Sequence, residues 1–527
     1  MHTKFRKYLS NTKRLLAMIL LTPTFTSYTQ AKTVDLSNAT IDDINAAFDA
    51  GTLTSEELVT RYLARIEAYD QKGPSLKAII AIADNAIERA RALDKERVEK
   101  GPRSPLHGIP FVAKDTVDTI DAPTAGGCIG LANTYPLDDS TVVRKLKNAG
   151  AILLAKGNLD EFNRGSEGLS SLGGQVLNPY DLTRNPGGSS AGPGVAVNCG
   201  FATLGIATET GASIRSPASN NSLVGFAPTQ GLISRAGLIA ISYTQDRAGS
   251  HAKTVKDAAI MANYMRGFDA EDLFTHSQLG RVSDSPYSDY LDLDGLKGAR
   301  IGVFRDLFRK GEEFQEINNM IDLEIEKIYE QGALVIDGLS IGMDIVKFFP
   351  LARASNFEFY EAYRAYIASR GDTVPYKSLE ALQESGEILE RMGPRYLDSI
   401  ELGNTEFNDE YIARLKNRKT LRSMIVELMD EHQVDALVHP FKSLTAPPLG
   451  TGDRGPRDNP VSSVTGLPAL VIPAGFNSEG LPISIEFLGR PFSEPTLFKL
   501  AYAYEQSTQH RIAPDSTPPL PGEEISY

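Results

Sequence analysis

Apolar positions recur along this chain with two different periods, and the switch between them outlines a fold. Leu58, Tyr62, Ile66 and Tyr69 share one helical face. The preceding Thr54-Ser55-Glu56-Glu57 forms a capping box, with Leu53 placed as its hydrophobic staple. A second helical pattern runs from about Ala83 to Glu99, and together the two predict a helical layer over residues 32–105. The pattern then turns continuously apolar. Gly108-Ile109-Pro110-Phe111-Val112-Ala113-Lys114-Asp115 predicts a strand ending in charge, and Ala151–Ala155 predicts another after a helix over Ser140–Ala149. Further strands are expected at Ala299–Phe304, Ala333–Ile336, Ala436–His439, Ala469–Ile472 and Ile483–Leu488. Strands and helices alternating at this spacing predict an α/β body with a largely buried sheet, over residues 106–514. Residues 340–431 are mainly helical and rich in Tyr, Glu and Arg, which suits a helical insertion carrying substrate-selecting residues. The Pro-rich segment 515–527 is expected to be a surface extension.

Composition narrows the classes. The chain has 527 residues, 41% of them hydrophobic and 23% charged, as an ordinary globular protein does. Its formal charge of -13 argues against a nucleic-acid partner, which needs a basic face. Lys4, Arg6, Lys7, Lys13 and Arg14 precede the apolar run Leu15–Leu21, and Thr29-Gln30-Ala31 supplies small residues for cleavage. That order is a secretory signal peptide over residues 1–31, and it predicts a periplasmic or secreted protein. Seven apolar residues before Pro23 cannot span a bilayer, so no stable membrane anchor is expected. Cys128 and Cys199 are the only cysteines, too few for a disulfide framework, and whether they are bonded is left open. The amphipathic N-terminal helix can pack on its own body or on a second copy, so a homodimer is as compatible as a monomer.

Hydrolase templates can be tested against the sequence. There is no HExxH, and the seven histidines show no metal-ligand spacing. Gly188-Ser189-Ser190-Ala191-Gly192 satisfies GxSxG, the elbow that would make Ser190 a nucleophile with a downstream acid and histidine. None of His251, His276, His432, His439 and His510 is singled out as that histidine. SxxK occurs at Ser10/Lys13 and Ser250/Lys253 without its companion motifs.

A second constellation is richer: Lys114 ends an apolar strand, Ser189 lies in a Gly-Gly-Ser-Ser turn, and Ser213 follows Gly211-Ala212. Here the chain resembles the amidase signature family. The likeness runs from Leu106-His107-Gly108-Ile109-Pro110 through Leu159-Asp160-Glu161-Phe162, Arg184–Ser190 and Gly225–Thr229 to Gly231–Arg235, and resumes at Val464–Ala469. It implies a large mixed, mostly parallel central sheet covered by helices on both faces, and a small-molecule amide substrate with no cofactor. It implies Ser213 as nucleophile, Ser189 after a cis peptide bond as the bridging serine, and Lys114 as base. Backbone N–H groups of Thr210, Gly211, Ala212 and Ser213 would form the oxyanion hole, with Ser190, Glu209 and Arg215 in support. Ala212 and Glu209 depart from the commoner glycine and aspartate, and neither departure removes a reacting group.

The chemistry makes this set intelligible. A serine hydroxyl needs a base to become a nucleophile. Lysine is a base only when neutral, so its ordinary value of about 10.4 must fall towards about 7–8, a cost on the order of 4 kcal/mol that burial without a carboxylate partner supplies. The apolar run before Lys114 suits such burial, and strand alternation turns Asp115 to the opposite face. The reading is an exported amidase; the alternatives are an amidotransferase A-type subunit, which shares the signature, and an exported solute-binding protein.

Overall fold

The structure, a computed structural model, describes residues 32–451 and 458–527. The signal peptide expected over residues 1–31 lies outside them. Eleven strands form one central sheet: β1 (Ile79–Ile82), β2 (Pro110–Lys114), β3 (Ile152–Gly157), β4 (Leu204–Glu209), β5 (Val224–Ala227), β6 (Arg247–Ala252), β7 (Arg300–Phe304), β8 (Leu334–Leu339), β9 (Ala436–Pro440), β10 (Ala469–Phe476) and β11 (Pro482–Leu488). Their order across the sheet is β8-β7-β9-β11-β10-β5-β6-β4-β2-β3-β1.

β2 runs parallel to β3 and β4, and β7 runs parallel to β8 and β9. The other six pairings are antiparallel. The sheet is mixed and flanked by helices as expected, but its pairings are mostly antiparallel rather than mostly parallel. The reason lies in burial and connection. Strands β2 to β6, β9 and β11 bury every residue, so both faces are covered and burial does not mark which way a strand points. Direction is set by the links instead: β10 and β11 are joined by the turn 477–481, too short for a crossover.

Helices α1 (Ile41–Ala50), α2 (Ser55–Arg65) and α3 (Ala86–Lys100) make the N-terminal layer. The Thr54 side chain accepts from the N–H of Glu57, and the Glu57 carboxylate accepts from the N–H of Thr54, which completes the capping box. Leu58 and Tyr62 are buried against the chain's own body, where the Tyr62 hydroxyl lies 2.9 Å from Thr203 Oγ1. The C-terminal segment is more than a surface extension. Arg65, fully buried, donates to Glu523 Oε1 at 2.5 Å and to the Thr517 carbonyl at 2.8 Å, and Ile525–Ser526 pairs antiparallel with Thr33–Val34. Burying Arg65 requires acceptors, and the tail supplies them together with the Cys199 carbonyl.

Helix α4 (Thr141–Asn148) precedes β3, while α5 (Ala191–Asn198) and α6 (Arg215–Asn220) flank β4 in sequence. After α7 (Val255–Met265) and α8 (Gln315–Glu330) comes the expected helical stretch: α9 (Ile345–Ala352), α10 (Ser355–Ser369), α11 (Leu379–Ser385), α12 (Gly393–Leu402) and α13 (Asp409–Glu431). It packs on the body through an aromatic cluster in which Phe162 meets Tyr363 edge-on, ring centroids 5.4 Å apart. Cys128 and Cys199 are both buried and both free. No helix among the described residues is long and apolar enough to cross a membrane.

Candidate active site

β2 carries Lys114 to the end of a strand with no exposed residue, so the ammonium loses its water. Nζ lies 2.7 Å from Ser189 Oγ, 3.1 Å from Thr208 Oγ1 and 3.3 Å from the Thr208 carbonyl. Burial draws this lysine down from 10.5 to about 7, against the opposing pull of Asp160, Asp246 and Glu209. A neutral amine has two N–H bonds and one lone pair, which match two Thr208 acceptors and one serine hydroxyl. An ammonium uses the same three neighbours as acceptors. Asp115 does face away: its carboxylate accepts from the N–H of Gly127 at 2.9 Å and lies 3.4 Å from Lys156 Nζ, a second fully buried lysine.

Ser189 and Ser190 close the turn before α5, both fully buried, and the Gly188–Ser189 peptide is cis. Gly188 has no room for a side chain, since a Cβ there would lie 2.1 Å from Asp160 Oδ2. The Ser190 hydroxyl donates to the Thr208 carbonyl at 3.0 Å and accepts from the Thr208 N–H at 3.3 Å. Both partners are backbone, so Ser190 ties the turn to β4, and the elbow reading of this serine loses its histidine.

The Thr210–Ser213 loop follows β4. Ser213 is 7% exposed, against 0% for Lys114 and Ser189, and its carbonyl accepts from the N–H of Ser190 at 3.3 Å, which ties the loop to the serine turn. Among the described residues nothing accepts the backbone N–H groups of Gly211, Ala212 and Ser213, which leaves three donors on one loop. The loop is braced from below. Glu209 Oε2 accepts from the N–H groups of Ile214 and Arg215 at 3.1 and 3.3 Å, and Arg215 Nη2 donates to the Gly211 carbonyl at 2.9 Å. Burial alone would raise Glu209, but Arg215 and Arg247 outweigh it and hold the carboxyl down to about 2. Glu209 and Arg215 are therefore a fully buried pair rather than a surface one, and Arg215 also meets Glu486 at 2.8 Å.

Sequence reasoning missed several neighbours. Thr208 supplies two of the three contacts of Lys114, yet a threonine in a strand carries no signal of that use. Asp246 accepts from the Thr210 hydroxyl at 2.5 Å and from the N–H groups of Ile241 and Ser242 at 2.7 and 2.9 Å. Gln245 bridges the Thr210 carbonyl, 3.1 Å away, to the N–H of Ala354 at the head of α10. Asp160 sits behind Gly188 and donates its own N–H to the Ser189 carbonyl at 3.2 Å. A carboxylate between apolar neighbours in Leu159-Asp160-Glu161-Phe162 was the available signal. Among the described residues no group of three or more His, Cys, Asp or Glu is placed to hold a metal ion.

Comparison with known proteins agrees with this geometry. The family profile described as Amidase matches residues 57–498. A probable amidase of Arabidopsis thaliana is 32% identical over 504 residues, covering 92% of this chain and 93% of the plant protein. The native peptide amidase of Stenotrophomonas maltophilia superposes with a TM-score of 0.82 at 33% identity, covering 91% of this chain and 99% of its own. The A-type subunit of the glutamyl-tRNA(Gln) amidotransferase from Thermotoga maritima superposes at 0.70 with 27% identity, covering 92% and 99%. The chain belongs to the amidase signature family of hydrolases acting on carbon–nitrogen amide bonds.

Proposed function

We propose that the protein is an exported amidase that hydrolyses a carboxylic amide to carboxylate and ammonia or an amine through an acyl-Ser213 intermediate. The observation that carries this is a fully buried lysine amine 2.7 Å from the hydroxyl of Ser189. Ser213 Oγ attacks the amide carbon while its proton passes to Ser189, whose own proton passes to neutral Lys114. The carbonyl oxygen gains negative charge and is met by the N–H groups of the Thr210–Ser213 loop. As the C–N bond breaks, the proton returns from Lys114 through Ser189 to the leaving nitrogen. Water then attacks the acyl carbon, giving its proton to the relay, and as the bond from the acyl carbon to Ser213 breaks the relay returns that proton to Ser213 Oγ. Glu209 and Arg215 hold the loop, and Ser190 holds the turn.

The better superposition on the peptide amidase than on the amidotransferase component supports a free-standing amidase. So does the leader pattern, since export would part the chain from tRNA. Ammonia release from a panel of primary amides tests the activity, and Ser213→Ala abolishes it in a folded protein. Turnover unchanged in that variant rejects the assignment. Fractionation of cells expressing the full chain tests export; recovery of the mature protein in the cytoplasm restores the amidotransferase reading.

A further inference from the structure

The relay does not explain why an arginine of the helical stretch reaches the carboxylates packed behind the bridging serine. Arg391 lies in the short turn Glu390–Met392, between α11 and α12. Its Nη1 donates to Glu167 Oε2 at 2.5 Å, and its Nη2 lies 3.6 Å from Asp160 Oδ1. Asp160 is the hub. Its carboxylate accepts from the N–H groups of Glu167 and Gly168 at 3.1 and 2.8 Å, its own N–H holds the Ser189 carbonyl, and Oδ2 packs against Gly188. The next residue repeats the pattern: Glu161 accepts from the N–H of Leu389 at 3.0 Å, the Tyr396 hydroxyl at 3.0 Å and the N–H of Ser171 at 3.1 Å. Two adjacent carboxylates thus receive the segment 389–396 directly behind the Gly188–Ser189 turn.

We propose that Arg391 is a positioning residue which, through Glu167 and Asp160, holds the Gly188–Ser189 turn against Lys114 and so couples docking of the helical stretch to the proton relay. The inference rests on the relay assigned above to Ser213, Ser189 and Lys114.

The coupling has an electrostatic side. Asp160 faces Arg391 and Glu167; Lys114 faces Asp160, then Asp246 and Glu209, with His251 nearby. Burial pushes the Asp160 carboxyl up to about 6, opposed by its two N–H bonds and by Arg391. Without Arg391 the carboxyl keeps its proton to higher pH. A neutral Asp160 no longer favours the Lys114 ammonium, so the lysine becomes a free base at lower pH. Loss of positioning slows the reaction, while loss of charge moves its acid limb downward. A mere loosening of the fold would lower activity alike at every pH.

The test uses Arg391→Ala and Arg391→Lys in the full chain. It reads kcat and KM on a primary amide, and Ser213 labelling by a fluorophosphonate probe, from pH 5 to 9. Arg391→Ala is expected to lower kcat by about tenfold to a hundredfold with KM within about twofold. Its acid midpoint is expected to move to lower pH, with Arg391→Lys restoring most of both. Unchanged kcat and midpoint overturn the proposal, as does a uniform loss at all pH values without rescue by lysine. A raised KM at constant kcat overturns it too, by making Arg391 a substrate contact. Turnover surviving in Ser213→Ala would instead sink the relay beneath it, so the two failures are distinct.

Discussion

Lys114→Met exchanges the amine for a thioether of similar length, which removes the base and also a buried charge. Drawing an ammonium from 10.5 to about 7 corresponds to about 5 kcal/mol of folding free energy, an upper figure for a fully buried group. The sign follows from proton counts. Between about 7 and 10.5 the unfolded lysine holds a proton that the folded one has lost, so wild-type stability rises with pH across that window. Below pH 7 both forms are charged and the whole cost is felt. Methionine avoids it, but strips the Ser189 hydroxyl and the Thr208 acceptors of a partner, at about 1–3 kcal/mol. The inactive variant is therefore expected to be about 2–4 kcal/mol more stable than wild type at pH 6. That advantage shrinks by about 1.4 kcal/mol per pH unit above 7, and reverses between about pH 8.5 and 10. Urea denaturation of both proteins from pH 6 to 10.5 measures the difference, and titrating groups remote from Lys114 cancel in it. A difference independent of pH would show that Lys114 titrates as an ordinary surface lysine, and the base assignment would fall with it.

Three further outcomes are expected. Gly188→Ala would press a methyl group to within 2.1 Å of Asp160 Oδ2 and abolish activity, whereas at Gly211 the nearest atom to a new Cβ is Arg353 Nη2 at 3.9 Å, so Gly211→Ala keeps most of it; parallel assays of the two decide. Arg215→Met leaves Glu209 and Glu486 buried with fewer counter-charges and is expected to cost about 3–5 kcal/mol, read from its denaturation midpoint. Ser190→Ala removes the hydroxyl that pairs with both backbone groups of Thr208, leaving its carbonyl to Lys114, and is expected to lower stability by about 1–3 kcal/mol while turnover persists; loss of nucleophile labelling in this variant, but not in Ser213→Ala, would return the elbow reading.

What the sequence disclosed follows from what apolar patterning can carry. β2, β3, β7, β9 and β10 stand out as largely apolar runs, and β11 as apolar residues alternating with Ser484 and Glu486. β6 does not: its Arg247, Ser250 and His251 look exposed, yet all are buried, because Arg247 meets Glu209 and His251 meets the Ile214 carbonyl at 2.7 Å. Strand direction escaped for a related reason, since burial on both faces erases the alternation that marks an antiparallel pair with one wet side. In the site, Lys114, Ser189 and Ser213 were visible through their glycine-rich settings and the family likeness. Thr208, Asp160, Asp246 and Gln245 were not, because each acts on a group that another segment brings to it: Lys114 Nζ for Thr208, the Ser189 carbonyl for Asp160, the Thr210 hydroxyl for Asp246, and the Thr210 carbonyl with the Ala354 N–H for Gln245. Such partners exist only once the chain has folded.

The three neighbours of Lys114 are the same whether it carries two hydrogens or three. Loading and unloading this base therefore displaces light nuclei and leaves the heavier framework where it stands. Each catalytic cycle would begin and end on one unaltered scaffold, with no solvent shell to rebuild around the nitrogen between turnovers.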